Sequence, residues 1–133
     1  MIRNELRVVA AVMQKDGKVL ICQRKKSDRH PLKWEFPGGK VELDEEPKAA
    51  LARELNEELG ISAEIGIEIA RYEYQYPSRS PILIMFYNVE VWKGDPANLI
   101  FEKIQWELPT QLPTFDFLEG DIDFVRRLAR GKH

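Results

Sequence analysis

Glu54, Glu57 and Glu58 lie in a run of strong helix formers at i, i+3 and i+4, so on a helix their carboxylates share one face. Leu51, Leu55 and Leu59, spaced i, i+4 and i+8, occupy the neighbouring arc and form the stripe expected to face a core. Three anions beside a buried seam repel one another. Each like-charged i, i+4 pair costs roughly 0.2–0.5 kcal/mol in solvent, and more as burial lowers the dielectric. Arg53 can neutralise one of them. A divalent cation with oxygen ligands neutralises the set, and Mg²⁺ accepts carboxylates, waters and substrate phosphates together.

For three glutamates taken alone, a charged, solvated helix face is the better account. The preceding loop changes the balance. Pro37-Gly38-Gly39 ends an expected strand with residues that let backbone approach a ligand closely and expose carbonyls or amides to it. Lys40 follows, suited to meet a phosphate as a point charge. Together they suit a metal-bridged phosphate.

These groups need a scaffold, and local pattern supplies most of it. Leu6 to Met13 is an apolar run rich in valine and alanine, as in a buried strand. Lys15-Asp16-Gly17-Lys18 carries the Asp-Gly hairpin signal, and Val19 to Cys22 returns as its partner. A polar loop spans Lys25 to Leu32, ahead of Trp34-Glu35-Phe36. Pro47 to Leu59 is a helix, opened by proline in its first turn and closed by Gly60. Ile65 to Tyr76 and Ile82 to Trp92 read as long strands around a turn at 77–81, and Phe101 to Trp106 as a shorter one. Asp121 to Arg130 reads as a closing helix with Ile122, Val125 and Leu128 on one side. Strands with interspersed helices make an α/β or α+β domain, taken as one unit over residues 1–133.

Composition bounds the partners. Hydrophobic residues at 44% and charged residues at 32% are globular proportions. Twenty Lys plus Arg against twenty-two Asp plus Glu give a formal charge of −2, which argues against binding a nucleic acid polymer by phosphate neutralisation. A polyanionic ligand therefore needs metal ions or a local cationic pocket. The single cysteine, Cys22, excludes an internal disulfide and a cysteine-based zinc cluster. No apolar run approaches membrane-spanning length, and Met1 to Glu5 does not open like a signal peptide. The expectation is a reduced, cytoplasmic protein away from membranes, monomeric or homodimeric.

Gly39, five residues, Glu45, seven residues, Arg53-Glu54-Leu55, one residue, Glu57-Glu58, one residue, Gly60-Ile61 resembles a complete Nudix box. The flank Lys33-Trp34-Glu35-Phe36-Pro37-Gly38-Gly39-Lys40 resembles the MutT-like branch, which hydrolyses nucleoside triphosphates. That resemblance implies an α/β/α sandwich with a mixed β-sheet and a loop-helix-loop catalytic motif. It implies that Glu54, Glu57 and Glu58 hold Mg²⁺, with Mn²⁺ as a possible substitute, helped by a carbonyl of Gly38 or Gly39. It implies water attack on the β-phosphorus, releasing monophosphate and pyrophosphate; the family recruits its general base from different positions, and Glu54 is the first candidate here. Glu45 and Arg53 would brace the loop against the helix.

Outside the box, the resemblance places Arg24 and Arg79 near the nucleotide, and Phe36 is a candidate to pack on the base. An acidic metal ligand of MutT-like proteins is replaced by Ile100, with Glu102 close by as a candidate substitute. Asp121 stands where MutT presents a base-reading asparagine. Ionised aspartate only accepts hydrogen bonds, which favours the amino groups of cytosine or guanine, including oxidised forms such as 8-oxo-dGTP, over uracil and thymine. Helix capping is the competing role for Asp121. Two other functions share the motif: hydrolysis of a nucleoside diphosphate linked to another group, such as ADP-ribose, and nucleotide sensing without cleavage. A sensor would be expected to lose box glutamates, and none is missing here.

Overall fold

The computed structural model describes residues 6–131. Its first strand, β1 (Leu6–Lys15), organises the rest. Side chains alternate across a strand. Val9, Ala11 and Met13 accordingly enter one core, and Ala10 and Val12 enter a second on the opposite face. The hairpin turn at Asp16 and Gly17, both with positive φ, returns the chain as β2 (Lys18–Gln23).

Two short strands follow, β3 (Trp34–Glu35) and β4 (Gly38–Lys40). β3 pairs with β2, whereas β4 pairs antiparallel with β1, Gly38 opposite Ala10. The glycines expected to break a strand therefore form one. A Cβ on Gly38 would collide with the Val9 carbonyl, so only glycine permits this approach.

Helix α1 (Pro47–Leu59) has Pro47 in its first turn and Gly60 in the left-handed conformation after its last, where the Gly60 N–H donates to Asn56 O at 3.0 Å. Ala50, Leu51, Leu55 and Leu59 are fully buried against the first core.

The first expected long strand is shortened to β6 (Glu68–Tyr74), preceded by an unexpected short strand, β5 (Ser62–Glu64); the second is divided into β7 (Ile82–Val89) and β8 (Val91–Lys93). β7 runs parallel to β1 and antiparallel to β6, while β5 and β8 pair separately as a small ribbon. The cause is a tertiary contact at Gly66. Its N–H donates to Asn88 O at 2.8 Å, Asn88 N returns to Ile67 O at 2.9 Å, and a Cβ at Gly66 would press on that carbonyl.

β9 (Lys103–Glu107) pairs with β2 and starts two residues later than expected. Before it, Asn98 closes a turn on Phe101, accepting from its N–H at 2.8 Å and donating to its carbonyl at 2.9 Å. After a 3₁₀ segment, Pro109–Thr114, and a second, Glu119–Asp121, the chain ends in α2 (Ile122–Ala129). Phe124, Val125 and Leu128 of α2 fill the second core. The mixed sheet thus lies between α1 on one face and α2 with the 3₁₀ segments on the other. Among the described residues, no helix is long and apolar enough to cross a membrane.

The α1 seam is the part of this packing on which the acidic face depends. Leu55→Ala is expected to destabilise the fold by about 2–5 kcal/mol, read from the denaturant midpoint at unchanged m-value.

Candidate functional site

β1 serves both halves of the sheet: residues 6–13 pair with β7, Val8 to Ala10 also pair with β4, and Gln14 and Lys15 pair with β2. The halves part between β4 and β3, and a cavity of about 900 Å³ opens there. Glu58, Gly38, Gly39 and Lys40 line one part of it, and Asp121, Tyr76, Ile82 and Ile84 another. Arg24, Arg29, His30 and Arg79 come from the surrounding loops.

On the acidic face the three glutamates are treated unequally. Glu58 is 7% exposed and accepts from Gly38 N at 3.2 Å. Burial, then the adjoining Glu54 carboxyl, pushes its pKa far above the carboxylate range. Glu54 is mostly covered and receives Arg53 Nη1 at 2.8 Å. Glu57 is largely exposed, 3.4 Å from the same nitrogen. A side chain on Gly39 would clash with the Glu54 carboxylate, so this glycine gives the acid access to the loop backbone.

Arg53 also makes a forked pair with Glu45, Nε to Oε2 at 2.9 Å and Nη2 to Oε1 at 3.0 Å, and donates to Lys40 O at 3.2 Å. These bonds, with Glu42 N donating to Glu45 at 3.0 Å, pull the Glu45 carboxyl down to about 2. Because Arg53 draws Glu54 and Glu57 while Glu58 turns to Gly38, the described residues contain no ready-made group of three metal-binding side chains. The donor set nevertheless suits a hard divalent cation. It is all oxygen, with two crowded carboxyls facing a glycine loop that exposes backbone.

The other expected residues lie as follows. Lys40, Arg24, Arg79 and Asp121 all line the cavity. Arg24 is committed to the protein: Nε donates to Arg29 O at 2.7 Å and Nη1 lies 3.3 Å from Glu35. Phe36 is 3% exposed, its ring in contact with Phe86, Phe117 and Phe124, so it forms the wall from the core side and has no open face for a base to stack on. Ile100 borders the cavity, whereas Glu102 is exposed, outside the lining, with its N–H on Gln23 O at 2.9 Å. Glu102 directly precedes β9, which pairs with β2.

Asp121 is 7% exposed and does not cap α2. Burial, then the nearby Glu35 charge, pushes its pKa up to about 8. The carboxyl expected to be a pure acceptor is therefore largely a neutral acid at pH 7, able to donate as well as accept.

Two cavity residues carry no strong signal of their own in the sequence. Glu35, within the Trp34-Glu35-Phe36 flank, has a pKa raised to about 7 because burial outweighs its Arg24 partner. His30 packs against Tyr76 with ring centroids 4.8 Å apart and the planes tilted by 39°, and burial and then Arg24, Arg29 and Arg79 lower its pKa.

Comparison with known proteins converges on one family. A NUDIX domain model matches residues 3–128. The CTP pyrophosphohydrolase of Escherichia coli K12 is 46% identical over 120 residues, covering 90% of this chain and 88% of the relative. The 8-oxo-dGTP diphosphatase of the same organism is 31% identical over 128 residues, covering 96% and 98%. Among solved structures, the E. coli ORF135 protein superposes with a TM-score of 0.83 at 34% identity, covering 92% of this chain and 86% of that one.

Asp121 fixes a pH dependence of stability. Its folded pKa of about 8 lies above the ordinary 3.8, so the folded state holds the proton more tightly. Its contribution is complete below pH 4 and is lost as pH rises towards 8. Asp121→Asn should therefore raise the melting temperature relative to the parent at pH 8 and leave a much smaller difference at pH 4.5, measured by calorimetry.

Proposed function

The chain belongs to the Nudix hydrolase family, and from that premise we propose that it hydrolyses nucleoside triphosphates to nucleoside monophosphate and pyrophosphate, as MutT-like members do. The observation that carries this reading is a single cavity with the Glu58 and Gly38–Gly39 end of the acidic helix at one side and the buried Asp121 at the other. A phosphate chain and a base can then be held at once. The names of the two E. coli relatives, a CTP pyrophosphohydrolase and an 8-oxo-dGTP diphosphatase, point to cytosine-type or oxidised guanine-type substrates, and so to removal of modified or surplus nucleotides.

Nudix hydrolases generally use a divalent metal, and Glu54, Glu57 and Glu58 with a Gly38 or Gly39 carbonyl would hold Mg²⁺ here. When bound, such a cation neutralises phosphate charge and lowers the pKa of a water nucleophile. The chain's own residues do the rest. Arg53, at 2.8 Å, fixes the Glu54 carboxylate as the proton acceptor. Glu45 in turn fixes Arg53. Lys40 and Arg79 present cations along the cavity wall to the phosphates.

Asp121 meets the base. In its ionised form it accepts from the amino group of cytosine; in its neutral form it can also donate to the carbonyl of uracil. Base choice should then change with pH across the Asp121 titration near 8. The kcat/KM ratio of CTP to UTP is expected to rise between pH 7 and 9, and Asp121→Ala should flatten that profile.

The reaction itself is tested by product analysis on a panel of canonical, oxidised and methylated triphosphates, with ADP-ribose included. Monophosphate plus pyrophosphate is the expected pair, and orthophosphate would place cleavage elsewhere. Glu54→Gln should lower kcat by about 10²–10⁴-fold, the range of a lost general base. Full turnover in Glu57→Gln at limiting Mg²⁺ would remove that residue from the metal set.

A further inference from the structure

No hydrogen bond from the described residues anchors the Asp121 carboxyl, whose surroundings are set by burial and by Glu35. The direction in which it points is therefore decided by the backbone that carries it. One side of that segment is tied to β3. Trp34 N donates to Asp116 O at 2.9 Å, Leu118 N donates to Trp34 O at 2.9 Å, and Asp121 N closes a turn on Leu118 O at 2.9 Å.

The other side is tied at one place among the described residues. Gly120 N donates to the Tyr76 hydroxyl at 3.0 Å. The approach here is tight: a Cβ on Gly120 would lie 3.1 Å from Ile84 Cδ1 and 3.2 Å from Tyr76 Oη, so its neighbours would have to give by a few tenths of an ångström. The Tyr76 ring is itself flanked, with Tyr74 at 4.7 Å between centroids and His30 at 4.8 Å. It borders the cavity immediately before Pro77, Arg79 and Ser80, which also line it. Ring packing of this kind needs only a phenyl group. The hydroxyl is the part with a separate partner, and that partner is the peptide next to Asp121.

We propose that Tyr76 is a positioning residue for base discrimination, its hydroxyl pinning the Gly120 peptide and through it the direction of the Asp121 carboxyl. This rests on the reading of Asp121 as the base-contacting group. Tyr76 acts on selectivity and not on the phosphate chemistry, because its bond lies at the Asp121 side of the cavity and touches none of the residues of the acidic face.

The test compares Tyr76→Phe, Asp121→Ala and the double variant with the parent, measuring kcat and KM for CTP, UTP and dGTP, with amide exchange at Gly120 followed by NMR. Tyr76→Phe keeps the ring and removes only the pin. It should raise KM for the best of the three bases by about 3- to 10-fold, the size of one lost net hydrogen bond, with kcat within about twofold. Base ratios should move towards those of Asp121→Ala, and the Gly120 amide should exchange several-fold faster. In the Asp121→Ala background the second substitution should change the ratios no further. An equal loss for all bases, additive effects in the double variant, or unchanged ratios where Asp121→Ala does shift them would overturn the role of Tyr76 and leave that of Asp121 standing. Unchanged ratios in Asp121→Ala would overturn both.

Discussion

The forked bond between Arg53 and Glu45 is the constraint from which the acidic site follows. A guanidinium offers five donors in one plane. Here they reach the Glu45 carboxylate, the Lys40 carbonyl, Glu54 and Glu57. The loop from β4 to α1 and the face of α1 are thereby held by the same side chain. Lysine has the charge but not the planar fork, and it could not address a carboxylate in two places while meeting a carbonyl and a second acid. The anions that surround Arg53 hold its proton even more firmly than usual, so its charge is constant over the whole working range of pH.

That brace is useful only because β1 brings the loop and the Asp121 side of the cavity to one opening. A strand with polar residues on one side would have a single core. β1 is apolar on both faces through its middle, and so carries α1 on one side and α2 on the other. Its two ends take different partners, β4 at the start and β2 at the finish. The sheet must divide where the pairing changes, and the cavity occupies that division. The glycines of β4 belong to this geometry as much as to the chemistry, since Gly38 packs on the backbone of β1 and Gly39 admits Glu54.

Local rules were sufficient wherever a short period or a turn residue decided the outcome. The α1 limits, its leucine stripe, the Asp16-Gly17 hairpin and the shared face of Glu54, Glu57 and Glu58 are all legible in the sequence. The short β5, the late start of β6 and the break between β7 and β8 are not. Alternation continues through both segments, and the interruption comes from Gly66 meeting Asn88, residues distant in the chain. Phe36 shows the same limit, because a core phenylalanine and a base-stacking one have identical neighbours in sequence and differ only in what covers the ring. Asp121 could be singled out but not its protonation, which depends on a burial that no residue count reveals.

The cavity combines two opposed electrostatic demands. Glu35, Glu58 and Asp121 are all shifted upward, and in each the first cause is removal from water. Even the Arg24 partner does not bring Glu35 back to an ordinary value, since desolvation outweighs the pair. Around these acids stand Arg24, Arg29, Arg79 and Lys40. With a formal charge of only −2, the whole chain supplies little long-range attraction for an anion, so recognition has to be local. The cationic wall suits the phosphate chain. The buried acids suit groups that carry protons or positive charge, and a polar cation or an amino-bearing base satisfies them at lower cost than water-excluded protein can. A ligand with phosphates at one end and a polar, hydrogen-bonding group at the other answers both demands.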